Sequence, residues 1–516
     1  LSDWAAQGDW RLYFLYRDRL EQVTASDVKR VAGEYLHRNN RTVGMFVPSA
    51  KTEKTPIPET PDLATVLEGY QGRETVAAGE AFDVSPQNIE KHLKRSTLDD
   101  GIKLVMLPKK TRGQTVHLQV VLRYGNLENL KGLTAACELL PELMTRGTQQ
   151  LSRQEIQDQL DRQFATLHAR GDAGKAVFSI ETKHANLPAV LELLRQILRE
   201  PALAEDEFEI LQRETLAQLE EQLTDPRSLA LVRLRRTVSP YPKTDVRYIP
   251  TVEEDLARTK MLSLDQLRTL RDDYLGGETG EVAVVGDFDA DECRQALTEI
   301  FSGWQSSQSY ARLPRLYFDE VQHGEQRIET PDKANAVYMA GQAMPLNDND
   351  PSYPALLIGN YVFGGSSLAS RLGDRVRQNE GLSYGVVSHF AAESLDERAS
   401  VTIMAIYNPQ NAAKVVTAIG EELERLIADG ITDKELQDAA KGFIDLQEVA
   451  RTSDATLARV LADDAHIDRT MDYYATLESK IQSLSTDEVH SAIKAALDPE
   501  RMTIVIAGDF KKAESE

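Results

Sequence analysis

The chain has 516 residues, 41% of them hydrophobic and 27% charged, with a formal net charge of -23. That length allows two to four domains with sizeable cores, and the composition is that of a globular protein. The negative field disfavours nucleic acid and anionic membranes as partners. The two cysteines are too few for a disulfide framework, and no apolar run approaches the ~18 residues a membrane helix needs.

The chain opens Leu1-Ser2-Asp3-Trp4, without Met, and reads as a piece of something longer. One pattern then recurs three times. Thr24 to Asp27, Ser263 to Gln266 and Ser485 to Glu488 each place a Ser or Thr three residues before an Asp, Gln or Glu, the signature of a helix N-cap with a capping-box partner. Leu36, Leu275 and Leu497 each lie 12 residues after their cap. A short apolar run follows each: Thr42 to Val47, Val282 to Phe288 and Ile504 to Phe510, all expected as buried strands. In the last two copies the cap-to-Gly distance is 23 residues. Repeated helix-then-strand endings imply repeated domains. Residues 1–50 are expected to be the tail of one domain, 51–90 a linker overlapping the Pro- and Thr-rich stretch 49–63, 91–305 a second domain, 306–325 a weaker break and 326–516 a third.

Within the second domain, Leu104 to Leu107 and His117 to Leu122 read as paired strands, and Ala189 to Leu198 and Asp206 to Thr224 as amphipathic helices. Cys137 lies in an apolar run and reads as a core residue. The third domain repeats the order. Strands are expected near Ala336 to Gly341 and Arg398 to Ile406, and helices near Gln410 to Ala428 and Thr432 to Val449, the last capped by Thr432 with Glu435. The expected class is α+β, built of tandem two-layer domains.

None of the nine histidines stands four residues from another, so neither HExxH nor HxxEH is present, and no Cys/His cluster occurs. The chain holds no nucleophile elbow, Rossmann fingerprint or P-loop. The densest motif is Phe363-Gly364-Gly365-Ser366-Ser367-Leu368-Ala369-Ser370-Arg371-Leu372, continuing to Arg377 and to Glu380-Gly381-Leu382-Ser383-Tyr384-Gly385. Its glycine pair lacks a Walker lysine and reads better as a turn opening a helix.

This segment resembles the pitrilysin/insulinase family of zinc peptidases, which includes the mitochondrial processing peptidases. The resemblance implies a two-half clamshell closing on a peptide. One half carries an HxxEH helix, a distal Glu and zinc; the other supplies an Arg and a Tyr seven residues apart, here Arg377 and Tyr384. A phenol hydroxyl could donate to the oxyanion of a tetrahedral intermediate, and a guanidinium could grip a peptide carbonyl or carboxylate. The stretch Lys131-Gly132-Leu133 to Arg146-Gly147-Thr148 resembles the family's zinc helix. On that match the zinc histidines fall on Glu138 and Glu142, the catalytic Glu on Pro141 and the distal zinc Glu on Gln218. All four positions are changed, so no metal is expected in this chain. Glu138 and Glu142 are expected to be solvated or salt-bridged rather than a hard-cation pair.

The resemblance therefore implies the substrate-binding, C-terminal half of a zinc metalloendopeptidase, inactive alone. Residues 1–50 would end a zinc-bearing half that is otherwise missing. The implied partners are a peptide substrate and that half, in the same chain or another, with no nucleic acid and no membrane span. The implied compartment is the bacterial periplasm ahead of the cytoplasm. The alternative is a non-catalytic binding or scaffold subunit of the same fold.

Overall fold

The computed structural model describes residues 1–44 and 79–515. These fall into two compact units, Leu1–Ala77 and Ala78–Glu516. The smaller unit contains helices α1 (Ser2–Ala6), α2 (Leu12–Leu20) and α3 (Ala25–Tyr35). Thr24 caps α3, and Asp27 completes the capping box. Residues 42–44 form no strand, and the rest of the strand expected there lies outside the described residues.

The larger unit holds two sheets of the same topology. After α4 (Pro86–His92) come β1 (Lys94–Thr97), β2 (Lys103–Pro108), β3 (Thr115–Arg123), α5 (Thr134–Met144), α6 (Arg153–Arg162), β4 (Thr166–Asp172) and β5 (Lys175–Lys183). Helices α7 (Leu187–Arg199), α8 (Glu205–Gln222), α9 (Pro226–Val238), α10 (Val252–Met261) and α11 (Leu264–Thr269) lead to β6 (Gly280–Gly286) and α12 (Ala290–Phe301). The second domain runs β7 (Gly324–Glu329), β8 (Ala336–Met344), α13 (Tyr353–Asn360), β9 (Ser383–Ala392), β10 (Ala399–Tyr407), α14 (Ala412–Asp429) and α15 (Asp433–Thr452). It closes with α16 (Asp454–His466), α17 (Asp472–Ser483), α18 (Thr486–Ala496) and β11 (Thr503–Gly508). The sheet orders are β1-β2-β6-β3-β5-β4 and β7-β11-β8-β10-β9. Removing β1 makes them superimposable in order and in strand sense, with β2–β6 and β7–β11 the parallel pairs.

One expectation is corrected. The runs 104–107 and 117–122 do not pair with each other, because β6 lies between β2 and β3. Every residue of β6 is buried, so the centre of the sheet is where this apolar strand loses least. The α+β class and both later copies of the helix–strand repeat are present. Ser263 pairs with Gln266 and Ser485 with Glu488, as the capping pattern requires. All three leucines at the twelfth position are C-cap residues, at the points where helices end. Ser85 caps α4, and Ile89 of α4 is fully buried, so packing begins inside the stretch expected as a connector.

The two domains exchange helices. Ala230 and Leu234 of α9, from the first domain, pack on Val337, Met339, Val505 and Ala507 of the second sheet. Leu457, Leu461 and Ala462 of α16, from the second domain, pack on Val105, Val121 and Val285 of the first. Each sheet's other face carries its own helices and a large apolar core. The helix exchange buries apolar area from both domains and fixes them against one another.

Candidate functional site

The chain between α13 and β9 is an irregular helix with wide turns at Tyr361–Gly365 and Gly373–Asn379. Most of the glycine- and serine-rich motif is scaffold. A Cβ at Gly364 would lie 2.6 Å from the backbone nitrogen of Ser388, so the helix touches β9 only with glycine there. Ser370 is fully buried; its hydroxyl donates to the Ser367 carbonyl (2.5 Å) and accepts from the Gly373 N–H (3.0 Å). Arg371 forks onto both Glu435 oxygens (2.6 and 2.8 Å), the same carboxylate that completes the Thr432 cap, and holds the Glu435 carboxyl down at about 2.

That scaffold presents Arg377 and Tyr384. Arg377 stands on the last wide turn and Tyr384 is the second residue of edge strand β9. The chain reverses between them, with the Leu382 N–H bonded to the Val376 carbonyl and the buried Ser383 hydroxyl donating to Ile406 O (2.7 Å). The Arg377 guanidinium carbon is 5.9 Å from the Tyr384 ring centroid, a cation–π contact. Tyr384 is 84% exposed, Arg377 is exposed too, and among the described residues neither side chain has a hydrogen-bond or ion-pair partner. Both polar ends are free to meet a ligand. Neither lines the internal cavity described below.

The four positions matching the family's metal site do not fit a zinc ion. Glu138 on α5 is gripped by Arg258 of α10, which donates to both carboxylate oxygens (2.8 and 2.6 Å), to Asp255 (2.6 Å) and to Thr134 Oγ1 (3.0 Å). Burial raises the Glu138 carboxyl and Arg258 opposes that rise. One turn on, Glu142 meets Arg146 at 2.6 Å, and Arg146 also bonds Glu214 at 2.6 Å. Pro141 offers no side-chain ligand or base, and its missing N–H leaves the Cys137 carbonyl without its helical partner. That carbonyl packs on β4, where a Cβ at Gly171 would lie 1.9 Å from it. Gln218 is exposed on α8. Among the described residues no group of three His, Cys, Asp or Glu is placed to hold a metal ion. Guanidinium cations occupy the carboxylates of this helix. Arg146 belonged to the sequence motif, but Arg258 lies 120 residues from Glu138 and nothing local marks their pairing.

Between the two sheets lies a cavity of about 1270 Å³. Glu138 and Arg258 line one wall; α9, the start of β10 and the end of α16 line others. Buried Glu281 of β6 receives Arg123 (2.8 Å) and His466 of α16 (2.9 Å) near its edge. Asp464, beside them, is pushed up to about 7 by burial, with Tyr474 donating to one of its oxygens (3.0 Å). Cys137 and Cys293 are free and buried, and burial raises both thiols.

The chain matches the description "Insulinase (Peptidase family M16)" over residues 104–240 and "Peptidase M16 inactive domain" over residues 261–443. It is 20% identical to the non-peptidase homolog YmxG of Helicobacter pylori over 406 residues, 77% of this chain and 89% of that protein. The crystal structure of a peptidase M16 inactive domain from Pseudomonas fluorescens superimposes with a TM-score of 0.71 at 19% identity, covering 81% of this chain and 97% of that one. The periplasmic protease PqqL of Escherichia coli superimposes with a TM-score of 0.63 at 14% identity, covering 94% of this chain and 50% of that one. Two α+β domains of one topology and these matches agree, and the chain belongs to the insulinase-type peptidase family M16.

Proposed function

We propose that this chain is the zinc-less, substrate-binding half of a two-half metalloendopeptidase. The observation that carries the proposal is the Arg377–Tyr384 pair, held side by side by a buried scaffold with both polar ends uncommitted. Zinc held in the other half would polarise the substrate's scissile carbonyl and activate a water. Here the Tyr384 hydroxyl donates to the oxyanion that develops, and the Arg377 fork holds the peptide beside it. The coverage of half of PqqL by most of this chain supports the two-half arrangement.

A second observation supports it. In α3 the residues 4, 7 and 11 positions after the cap, Val28, Val31 and Tyr35, are 58%, 42% and 60% exposed. Their counterparts Leu267, Leu270 and Tyr274 are buried under the first sheet, as are Val489 and Ala492 under the second. The same stripe therefore suits a helix that closes one further domain of this kind, which is where the zinc-bearing half would end.

The chain alone is expected to bind zinc substoichiometrically and to leave an internally quenched peptide intact; adding its zinc-bearing half should restore cleavage. Cleavage by the isolated chain would refute this division of labour. The alternative, a non-catalytic scaffold subunit, draws support from the arginine-filled metal helix and from a relative described as a non-peptidase homolog. It predicts no gain of cleavage on mixing.

A further inference from the structure

The protein carries a net charge of -23, yet arginine and lysine outnumber carboxylates in the lining of its internal cavity. All but two of those cations reach a carboxylate at 2.6–3.8 Å. The two that reach none among the described residues are Arg235 and Arg398. Arg398 donates a single side-chain hydrogen bond, to Ser239 Oγ at 2.8 Å, and its other guanidinium N–H groups have no partner among the described residues. Burial holds its pKa below the usual guanidinium value, with Glu393 opposing and Arg315 reinforcing the shift. A half-buried guanidinium without a counter-ion is a costly arrangement unless something else supplies the anion.

Ser239 links the segments that carry the two free arginines. Ser239 ends α9, and its N–H bonds to the carbonyl of Arg235, so the two side chains lie one helical turn apart on the same face. Arg398 donates to that Ser239, and the half-buried Arg398 and the exposed Arg235 both line the cavity. Arg398 also stands one residue before β10, on the face shared with Ser400 and Thr402. Both residues line the cavity, and neither hydroxyl has a hydrogen-bond partner among the described residues. Leu231 and Val238 of α9 add an apolar wall, and the volume of about 1270 Å³ exceeds what a drug-sized ligand needs.

We propose that this cavity is a second ligand site, for a carboxylate carried on a peptide, in which Arg398 and Arg235 grip the oxyanion while Ser400 and Thr402 donate to it. Arginine forks and hydroxyls suit carboxylates and phosphates alike; the volume and the apolar wall favour a peptide as the carrier. The site is separate from Arg377 and Tyr384, and the proposal does not depend on a zinc-bearing half.

The test is fluorescence polarisation of the full chain with rhodamine-labelled, alanine-based hexapeptides in three forms. One has a free C-terminal acid, one is amidated and carries a glutamate, and one is amidated and carries glutamine instead. The glutamine amide should bind at least about tenfold more weakly than the better acid form, and the ranking of the two acids separates an α-carboxylate from a side-chain source. Arg398→Ala and Arg235→Ala should each weaken that binding about tenfold. Ser239→Ala removes the link between helix and strand but leaves both guanidinium groups, and should change affinity less than about threefold. Circular dichroism of each variant checks folding. The proposal is overturned if no acid form binds at millimolar concentration, if the glutamine amide binds equally well, or if both arginine variants bind like the parent. It is also overturned if Ser239→Ala reproduces the whole loss, which makes Arg398 a structural strut. Inorganic phosphate that competes more strongly than N-acetylglutamate overturns the assignment to carboxylate.

Discussion

Replacing Arg258 by methionine tests whether its guanidinium balances the charge of Glu138 on α5. The substitution keeps most of the side-chain volume and removes every donor to Glu138 and Asp255. Stripping one partner from a fully buried ion pair costs about 3–5 kcal/mol, because the other charge is left bare. Glu138 is 37% exposed along the cavity, so water screens part of that cost, leaving roughly 1–2 kcal/mol. For the interlocked unit of roughly 440 residues this is a fall in Tm of roughly 1–2 °C. The sign with pH is fixed by linkage. Without Arg258, burial and the nearby Asp255 and Asp172 charges all push the Glu138 carboxyl up, so its folded pKa lies above the unfolded value of about 4.3. Such a group binds its proton more tightly in the folded state, so stability is greatest below the unfolded pKa and falls as pH rises through the folded one. The gap in Tm between parent and Arg258→Met, measured by scanning calorimetry, should therefore be wider at pH 8 than at pH 5. Adding Glu138→Gln should recover most of the loss at pH 8. An equal gap at both pH values, or no recovery in the double variant, would refute the assignment.

Two further perturbations follow from the same structure. Asp464 has a folded pKa of about 7, raised by burial, so it costs stability increasingly as pH climbs from about 4 through 7. Asp464→Asn, which keeps the neutral shape, should match the parent near pH 4 and exceed it by up to about 3–4 kcal/mol at pH 8 in urea unfolding; identical pH profiles would contradict the assignment. Gly171→Ala puts a methyl group 1.9 Å from the Cys137 carbonyl, where the neighbour is backbone. It should lower stability by about 3 kcal/mol or more, and an unchanged urea midpoint would mean that α5 moves off β4 at little cost.

Local chemistry was the legible part of the sequence. The cap residues Thr24, Ser263, Thr432 and Ser485 act within one helical turn, so their spacing alone announces them, and the leucines twelve residues on mark where three helices stop. The helices at 187–199, 205–222, 412–429 and 433–452 followed from apolar periodicity. What needed coordinates is non-local. Period-two patterning cannot say that β6, about 160 residues downstream, inserts between β2 and β3. Nor can it say that α9 and α16 cross to the opposite sheet, since their apolar stripes would suit either one. At the site, the family motif drew attention to Arg377 and Tyr384, and the structure makes them neighbours. The partners of Glu138 and of Ser239 belong to distant segments, Arg258 and Arg398, that carry no motif of their own.

Steady-state kinetics read the role of the Tyr384 phenol. If a zinc-bearing half completes this chain as proposed, Tyr384→Phe should lower kcat by about 10²–10³-fold, the loss typical of one oxyanion donor, while KM stays within about threefold. An unchanged kcat would contradict the account and leave this chain as a binding partner only.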